Sequence, residues 1–232
     1  MIEKTYRFAD IPVLARYRDT FMEEMCREYE TGEEPQYEIA VTKEDVEREI
    51  QEDENFPYGY LETLAFYRKF CRQALMENVI LFHSSVVAVD DKAYLFTAPS
   101  GTGKSTHTAL WRKVFGERAV MINDDKPLIR FQEDGIWVYG TPWDGKHRIS
   151  TNTRAKVRAI CILERGESNR IWEESFFDAY PVILNQTYRP DDEDGMAKTL
   201  ELVNVLMTKI KIYRMSCTIS EDAAKMAYET MK

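Results

Sequence analysis

Three groups of residues in this chain have types and spacings suited to chemistry: a glycine-flanked lysine loop, an adjacent pair of aspartates and a histidine in an apolar run. The loop reads Ala98-Pro99-Ser100-Gly101-Thr102-Gly103-Lys104-Ser105-Thr106. It departs from the G-x-x-x-x-G-K-[ST] pattern only where Ala98 stands at the first glycine. Gly101 and Gly103 let successive backbone N–H groups turn inward around phosphate oxygens, where a Cβ would obstruct them. Lys104 supplies a point charge for the outer phosphates, and Ser105 offers a hydroxyl to magnesium. The helix that follows directs its positive end at the anion. Ser100, Gly101, Thr102, Gly103, Lys104, Ser105 and Thr106 are therefore the expected binding set for a nucleoside triphosphate with magnesium.

Asp124-Asp125 ends an apolar strand 20 residues after Lys104. Such a pair can divide its work, one carboxylate near the metal and the other accepting a proton from an attacking hydroxyl. An Asp-Asp pair can also be a plain polar turn that ends a strand. His83 follows Val79-Ile80-Leu81-Phe82, the setting of an ordinary core histidine. Register gives it a second reading. With a turn at Asp90-Asp91, Val89 pairs with Lys92, Val87 with Tyr94 and Ser85 with Phe96, which sets His83 opposite Ala98 at the mouth of the loop. From there it could contact a phosphate or tune a carboxylate.

The elements that must position these groups follow from pattern. Val79 to Val89 and Lys92 to Thr97 read as a strand hairpin. The loop opens a helix with Thr106, Leu110, Trp111, Val114 and Phe115 on one side and Gly116 at its end. Strands are expected at Ala119 to Asn123, Leu128 to Phe131, Ile136 to Tyr139 and Arg158 to Glu164. Met196, Leu200, Val203, Met207 and Ile210 form a helical stripe, Lys211 to Met215 a strand, and Ser220 caps a last helix. Before the hairpin, residues 1–78 read as a small acidic lobe, with Thr42 capping a helix, Asn55 to Gly59 a loop and a helix from about Tyr60 to Glu77. Residues 79–232 form the core.

Composition narrows the class. A 44% hydrophobic fraction over 232 residues supports a folded protein. No apolar run reaches membrane-spanning length, and the mixed charges of Met1 to Arg7 do not resemble a secretory leader, so the expected location is cytoplasmic with no membrane partner. Cys26, Cys71, Cys161 and Cys217 are widely spaced and read as reduced thiols. From Glu23 to Glu54 there are 14 acidic and 3 basic residues out of a net charge of -9. That segment reads as a solvated face or a docking surface for a basic partner, and nothing basic enough to track nucleic acid appears. Gly140 to Lys146 either lines a substrate pocket or forms a surface loop. Lys146, Arg148, Arg154 and Arg189 are candidate cations for a transition state, and His107 and His147 read as solvent-exposed.

With His83, the hairpin, Ser100 to Ser105 and Asp124-Asp125 in this order, residues 79–232 resemble the HPr kinase catalytic domain and, more broadly, the HPr kinase/phosphoenolpyruvate carboxykinase-like group. The resemblance implies an α/β fold with a mixed sheet and flanking helices, beside a small N-terminal α+β lobe. It implies ATP-dependent phosphorylation of a serine hydroxyl, with Asp125 as base, Asp124 and Ser105 on the magnesium side, and His83 as the active-site histidine. The glycine- and arginine-containing signature loop of HPr kinases is not intact here, so the resemblance does not carry HPr as substrate or a reverse phosphorylase activity. The Gly140-Thr141-Pro142-Trp143 stretch is similar to shorter kinases found beside peptide-modification genes.

The leading expectation is a kinase acting on a hydroxyl of a protein, peptide or small molecule. The alternative is a nucleotide-dependent regulator working through the N-terminal lobe. Carboxykinase-type chemistry would need a histidine-rich metal set, and the chain has three histidines. The acceptor and the oligomeric state, including a homo-oligomer, are left open by the sequence.

Overall fold

In the computed structural model, which describes residues 1–50 and 55–232, the chain divides into two units, Met1–Glu77 and Asn78–Lys232. In the first, β1 (Ile2–Phe8) and β2 (Ile11–Tyr17) form an antiparallel hairpin, and β3 (Tyr37–Ala40) lies parallel to β2. The hairpin turns on Ala9 and Asp10, both at positive φ (49° and 60°), the backbone that matches the twist of a two-residue turn. Helices α1 (Phe21–Met25), α2 (Lys43–Glu47) and α3 (Tyr58–Ala74) complete this unit. Phe66 and Phe70 of α3 pack edge-on to Phe8 of β1. Thr42 caps α2 in a reciprocal capping box with Asp45. Helix α3 begins at Tyr58, two residues before the sequence-based start, because Pro57 takes the N-cap position.

The acidic segment is largely exposed, and part of its charge is paired. Arg16 bonds Glu3 and Glu38, Arg7 bonds Glu33, and Lys4 bonds Glu30, so cations of β1 and β2 face it. Its last three acidic residues, Glu52, Asp53 and Glu54, lie outside the described residues.

The second unit is a mixed α/β structure. Nine strands, β4 (Val79–Leu81), β5 (Ser85–Val89), β6 (Lys92–Thr97), β7 (Ala119–Asn123), β8 (Leu128–Gln132), β9 (Gly135–Tyr139), β10 (Arg154–Arg165), β11 (Arg170–Glu173) and β12 (Lys211–Cys217), form one sheet among the described residues. The order is β4-β8-β9-β10-β6-β5-β7, with β12 parallel to the far half of β10 and β11 beyond it. Helices α4 (Lys104–Phe115), α5 (Phe176–Asn185), α6 (Glu193–Lys209) and α7 (Glu221–Met231) accompany it. Tyr94, Phe96 and Trp111 meet in the core with centroids 4.9 and 5.3 Å apart, and Ala223, Ala224 and Ala227 of α7 close it. Cys26, Cys71 and Cys161 are buried thiols, and Cys217 is half-buried.

Three strand and helix expectations need correction. Val79 to Val89 is not one strand. It breaks at Phe82 to Ser84, where the backbone N–H groups leave the ladder for Pro127 O (3.3 Å), Gln186 O (2.7 Å) and Asp125 O (3.2 Å). As a result β4 pairs with β8 while β5 pairs with β6. The buried stripe of α6 is Thr199, Leu202, Val203, Leu206 and Met207. It is rotated from the stripe read off Met196, Leu200 and Ile210, which are half-buried. In α4 the buried side is Lys104, His107, Thr108 and Trp111, whereas Thr106 is exposed.

Candidate active site

Topology gathers the candidate residues at one sheet edge. Strand β5 is antiparallel to both β6 and β7, so β6 and β7 run the same way and end together. The loop 98–103 leaves β6 there, and Asp124 and Asp125 leave β7 there. Ser85 opens β5 between them, and His83 lies two residues before it. The β5–β6 turn that sets this alignment has Asp90 and Asp91 at φ 51° and 62°, and its pairs are Val89 with Lys92, Val87 with Tyr94 and Ser85 with Phe96. Although His83 is outside the ladder, its carbonyl accepts from Thr97 Oγ1 at 3.0 Å. It is therefore anchored one residue short of the expected partner Ala98.

The two aspartates have different surroundings. Asp124 is buried and accepts a 2.5 Å hydrogen bond from Ser85 Oγ, which also meets Thr108 Oγ1 of α4 at 2.8 Å. Asp125 has one carboxylate oxygen 2.9 Å from His83 Nε2 and the other on Lys126 Nζ. Burial works to raise its pKa, but the His83 hydrogen bond and the Lys126 charge outweigh it and hold the carboxyl at about 2. Asn123 Oδ1 accepts from the N–H groups of both Asp125 and Lys126 at 2.8 Å, which fixes the turn that carries the pair. Gln186, following α5, meets His83 Nδ1 through its Oε1 at 2.9 Å.

Lys104 is buried at the first position of α4, with its Nζ on Ala98 O at 3.0 Å. Burial lowers its pKa while the charges of Asp125 and Asp124 oppose that fall. The flanking glycines suit an anion cradle. Gly101 and Gly103 have φ of 76° and 121°, and a Cβ at either would project into open space. Thr102 N–H closes a turn on Pro99 O (3.3 Å), and Arg165 at the end of β10 donates to Gly101 O and Thr102 O. A cleft of about 650 Å³ runs from Pro99 and Thr102 along Arg165 and Arg214 to Gln186.

The stretch Gly140 to Lys146 is built into this edge. Asn123 Nδ2 donates to Thr141 O (2.9 Å) and Thr141 Oγ1 (3.1 Å), and Lys126 N–H donates to Trp143 O (3.1 Å). Gly145 has φ 73°, and a Cβ there would lie 3.1 Å from that of Asp125. Asp144 accepts from Ser150 Oγ at 2.8 Å; burial raises its pKa, with the Asp124 charge adding to the rise. Among the described residues no cluster of three His, Cys, Asp or Glu side chains forms a ready metal cage. A magnesium ion at Ser105 and Asp124 would complete its shell with water and phosphate oxygens, as that ion commonly does.

Several sequence expectations change here. His107 is buried rather than exposed. Trp111 Nε1 donates to its Nε2 at 3.1 Å, so that nitrogen carries no proton, and burial lowers its pKa to about 4. Among the candidate cations, Arg154 lies over Trp137 and donates to Tyr139, and Arg189 donates to Asn185. Lys146 and Arg148 are exposed, with the Arg148 charge felt by Asp144. Sequence reading missed Arg165 and Gln186, since nothing in 62 or more intervening residues links either to the loop or to His83. Lys126 and Asn123 were more accessible, as they flank the aspartate pair.

No protein-family model matches the chain, and no curated protein matches it. Among solved structures it is similar to the HPr(Ser) kinase/phosphatase from Coxiella burnetii, at 10% identity and a TM-score of 0.35, over 65% of this chain and 97% of that one. A likeness at that level carries no functional argument, so the site must be read from its own chemistry.

Proposed function

We propose that the second unit is an ATP- and magnesium-dependent kinase of the HPr kinase-like kind, transferring the γ-phosphoryl group to a hydroxyl, with a serine of a protein or peptide favoured. The observation that carries this reading is the asymmetry of the aspartate pair beside a buried Lys104. Asp124 is held against α4 through Ser85 and Thr108, whereas Asp125 faces His83 and Lys126.

In this reading Ser100 to Thr106 hold the phosphates, and Ser105 and Asp124 hold the metal through oxygen. Magnesium supplies charge neutralisation at the β- and γ-phosphates. Asp125 orients the acceptor hydroxyl. A carboxylate of pKa about 2 is a weak base, so it takes the proton late, once the attacking oxygen has begun to bond to phosphorus. This suits a loose phosphoryl-transfer transition state, which asks little of an early base. His83 and Lys126 hold Asp125 in its ionised form, and Lys104 attends the transferring group.

The test is incubation of the full chain with magnesium-ATP and separate peptide, protein and metabolite pools, read by mass spectrometry for one added phosphoryl group on a hydroxyl. Intact ATP binding with no acceptor in any pool would sink the kinase reading.

A further inference from the structure

Strand β10 is longer than its neighbour at the site. Its last pair with β6 is Ile162 with Thr97, where β6 ends and the loop begins. Leu163, Glu164 and Arg165 continue beside the loop while still paired with β12, Arg165 lying opposite Cys217. A rigid strand end thus carries a guanidinium alongside the most permissive backbone of the site, the segment Gly101-Thr102-Gly103.

Arg165 Nη2 donates to Gly101 O at 2.5 Å and its Nε to Thr102 O at 3.3 Å. In a trans peptide the carbonyl and the following N–H point in opposite directions. Holding the carbonyls of Gly101 and Thr102 toward β10 therefore turns the Gly103 N–H away from it and leaves the Thr102 N–H on Pro99 O, where it closes the turn. Two glycines at positive φ leave these peptide planes free to rotate, and a planar fork with fixed donors suits the task of restraining two carbonyls. The charge matters as well. These partners are neutral oxygens, and the adjacent Glu164 is engaged by Arg214, so Arg165 adds positive potential beside the loop.

We infer that Arg165 is a positioning residue for the anion cradle. It fixes two peptide planes of the loop before the ligand arrives, so that the Thr102 N–H closes the turn on Pro99 O and the Gly103 N–H faces the ligand, and it raises the local positive potential. The inference rests on the triphosphate reading of the loop.

The test compares the full-length wild type with Arg165→Ala and Arg165→Lys. Calorimetry measures binding of magnesium-ATP and of inorganic pyrophosphate, hydrogen exchange follows the loop amides without ligand, and thermal melting reports folding. The expected result for Arg165→Ala is about tenfold weaker binding of both ligands and faster exchange at Thr102, whose N–H is held on Pro99 O, with melting close to wild type. Arg165→Lys, which keeps the charge but loses the fork, should recover the smaller part of the affinity and little of the exchange protection. Added guanidinium at low millimolar concentration should restore part of the affinity of Arg165→Ala and none of that of wild type. Wild-type affinity and exchange in Arg165→Ala would overturn the role of Arg165 alone. Failure of the wild type to bind either ligand would overturn the triphosphate reading and this role with it.

Discussion

Replacing Asp125 with asparagine preserves its size but removes the charge that His83 and Lys126 contact. If Asp125 serves the hydroxyl rather than the nucleotide, Asp125→Asn should lower kcat by roughly 10²–10⁴, the range for losing an acid–base group. Magnesium-ATP affinity should stay within about tenfold of wild type. Lys104→Ala should instead lose most of the binding if, as proposed, its buried ammonium attends the phosphates. Equal losses of affinity in the two variants would show that the roles are not divided in this way. A second residue-scale prediction concerns His107. Its folded pKa, about 4, is depressed below 6.5 by burial. Below pH 6.5 the unfolded chain therefore takes up a proton that the folded chain refuses, and stability falls with falling pH until about 4, where both forms hold it. The full effect is on the order of 3 kcal/mol. His107→Gln keeps an acceptor for Trp111 but has no proton to gain. Its urea midpoint should fall less than that of wild type between pH 7 and 4.5, and parallel falls would mean that His107 does not resist protonation.

At the scale of elements, the β5–β6 hairpin is what brings His83, Ser85 and the loop to one edge. Its turn depends on two left-handed residues, Asp90 and Asp91. Aspartate tolerates that backbone and a β-branched residue does not. Asp91→Val should cost about 1–2 kcal/mol in urea unfolding, whereas Asp91→Gly should be neutral or slightly stabilising; equal effects would argue against strain at the turn. This hairpin was legible because its signal is local: a turn dipeptide between two short apolar runs fixes every pair from Ser85–Phe96 to Val89–Lys92. The β1–β2 hairpin in the first unit was not legible, since Ala9-Asp10 is a poor turn signature although both residues adopt positive φ. The break at Phe82 to Ser84 was hidden for a different reason. Its cause is a set of backbone acceptors on Asp125, Pro127 and Gln186, the farthest lying 103 residues from His83, and the apolar run gives no sign of them. The same distance concealed Gln186 as the partner of the His83 ring, so sequence placed the histidine near the loop but could not supply what orients it.

At the scale of the whole molecule, charge separates the two units. Residues 1–77 hold 19 acidic and 10 basic side chains and residues 78–232 hold 21 of each, so the net charge of -9 belongs to the first unit. The second unit is balanced and has its own core around Trp111, Tyr94 and Phe96. A chain beginning at Asn78 should therefore fold, which circular dichroism would check, and should bind magnesium-ATP within about threefold of full length at 0.15 M salt, where fields beyond about 8 Å are screened. At low salt it should bind somewhat faster than full length, because the tethered negative charge that opposes an incoming anion is gone. Transfer to the acceptor decides between the two functional readings. A self-sufficient kinase core keeps its turnover after the truncation. A regulator that works through its acidic unit keeps nucleotide binding but loses its partner. A truncated chain that folds and yet loses nucleotide affinity by more than tenfold at 0.15 M salt would place part of the binding site in residues 1–77, against the charge balance and the lining residues of the cleft.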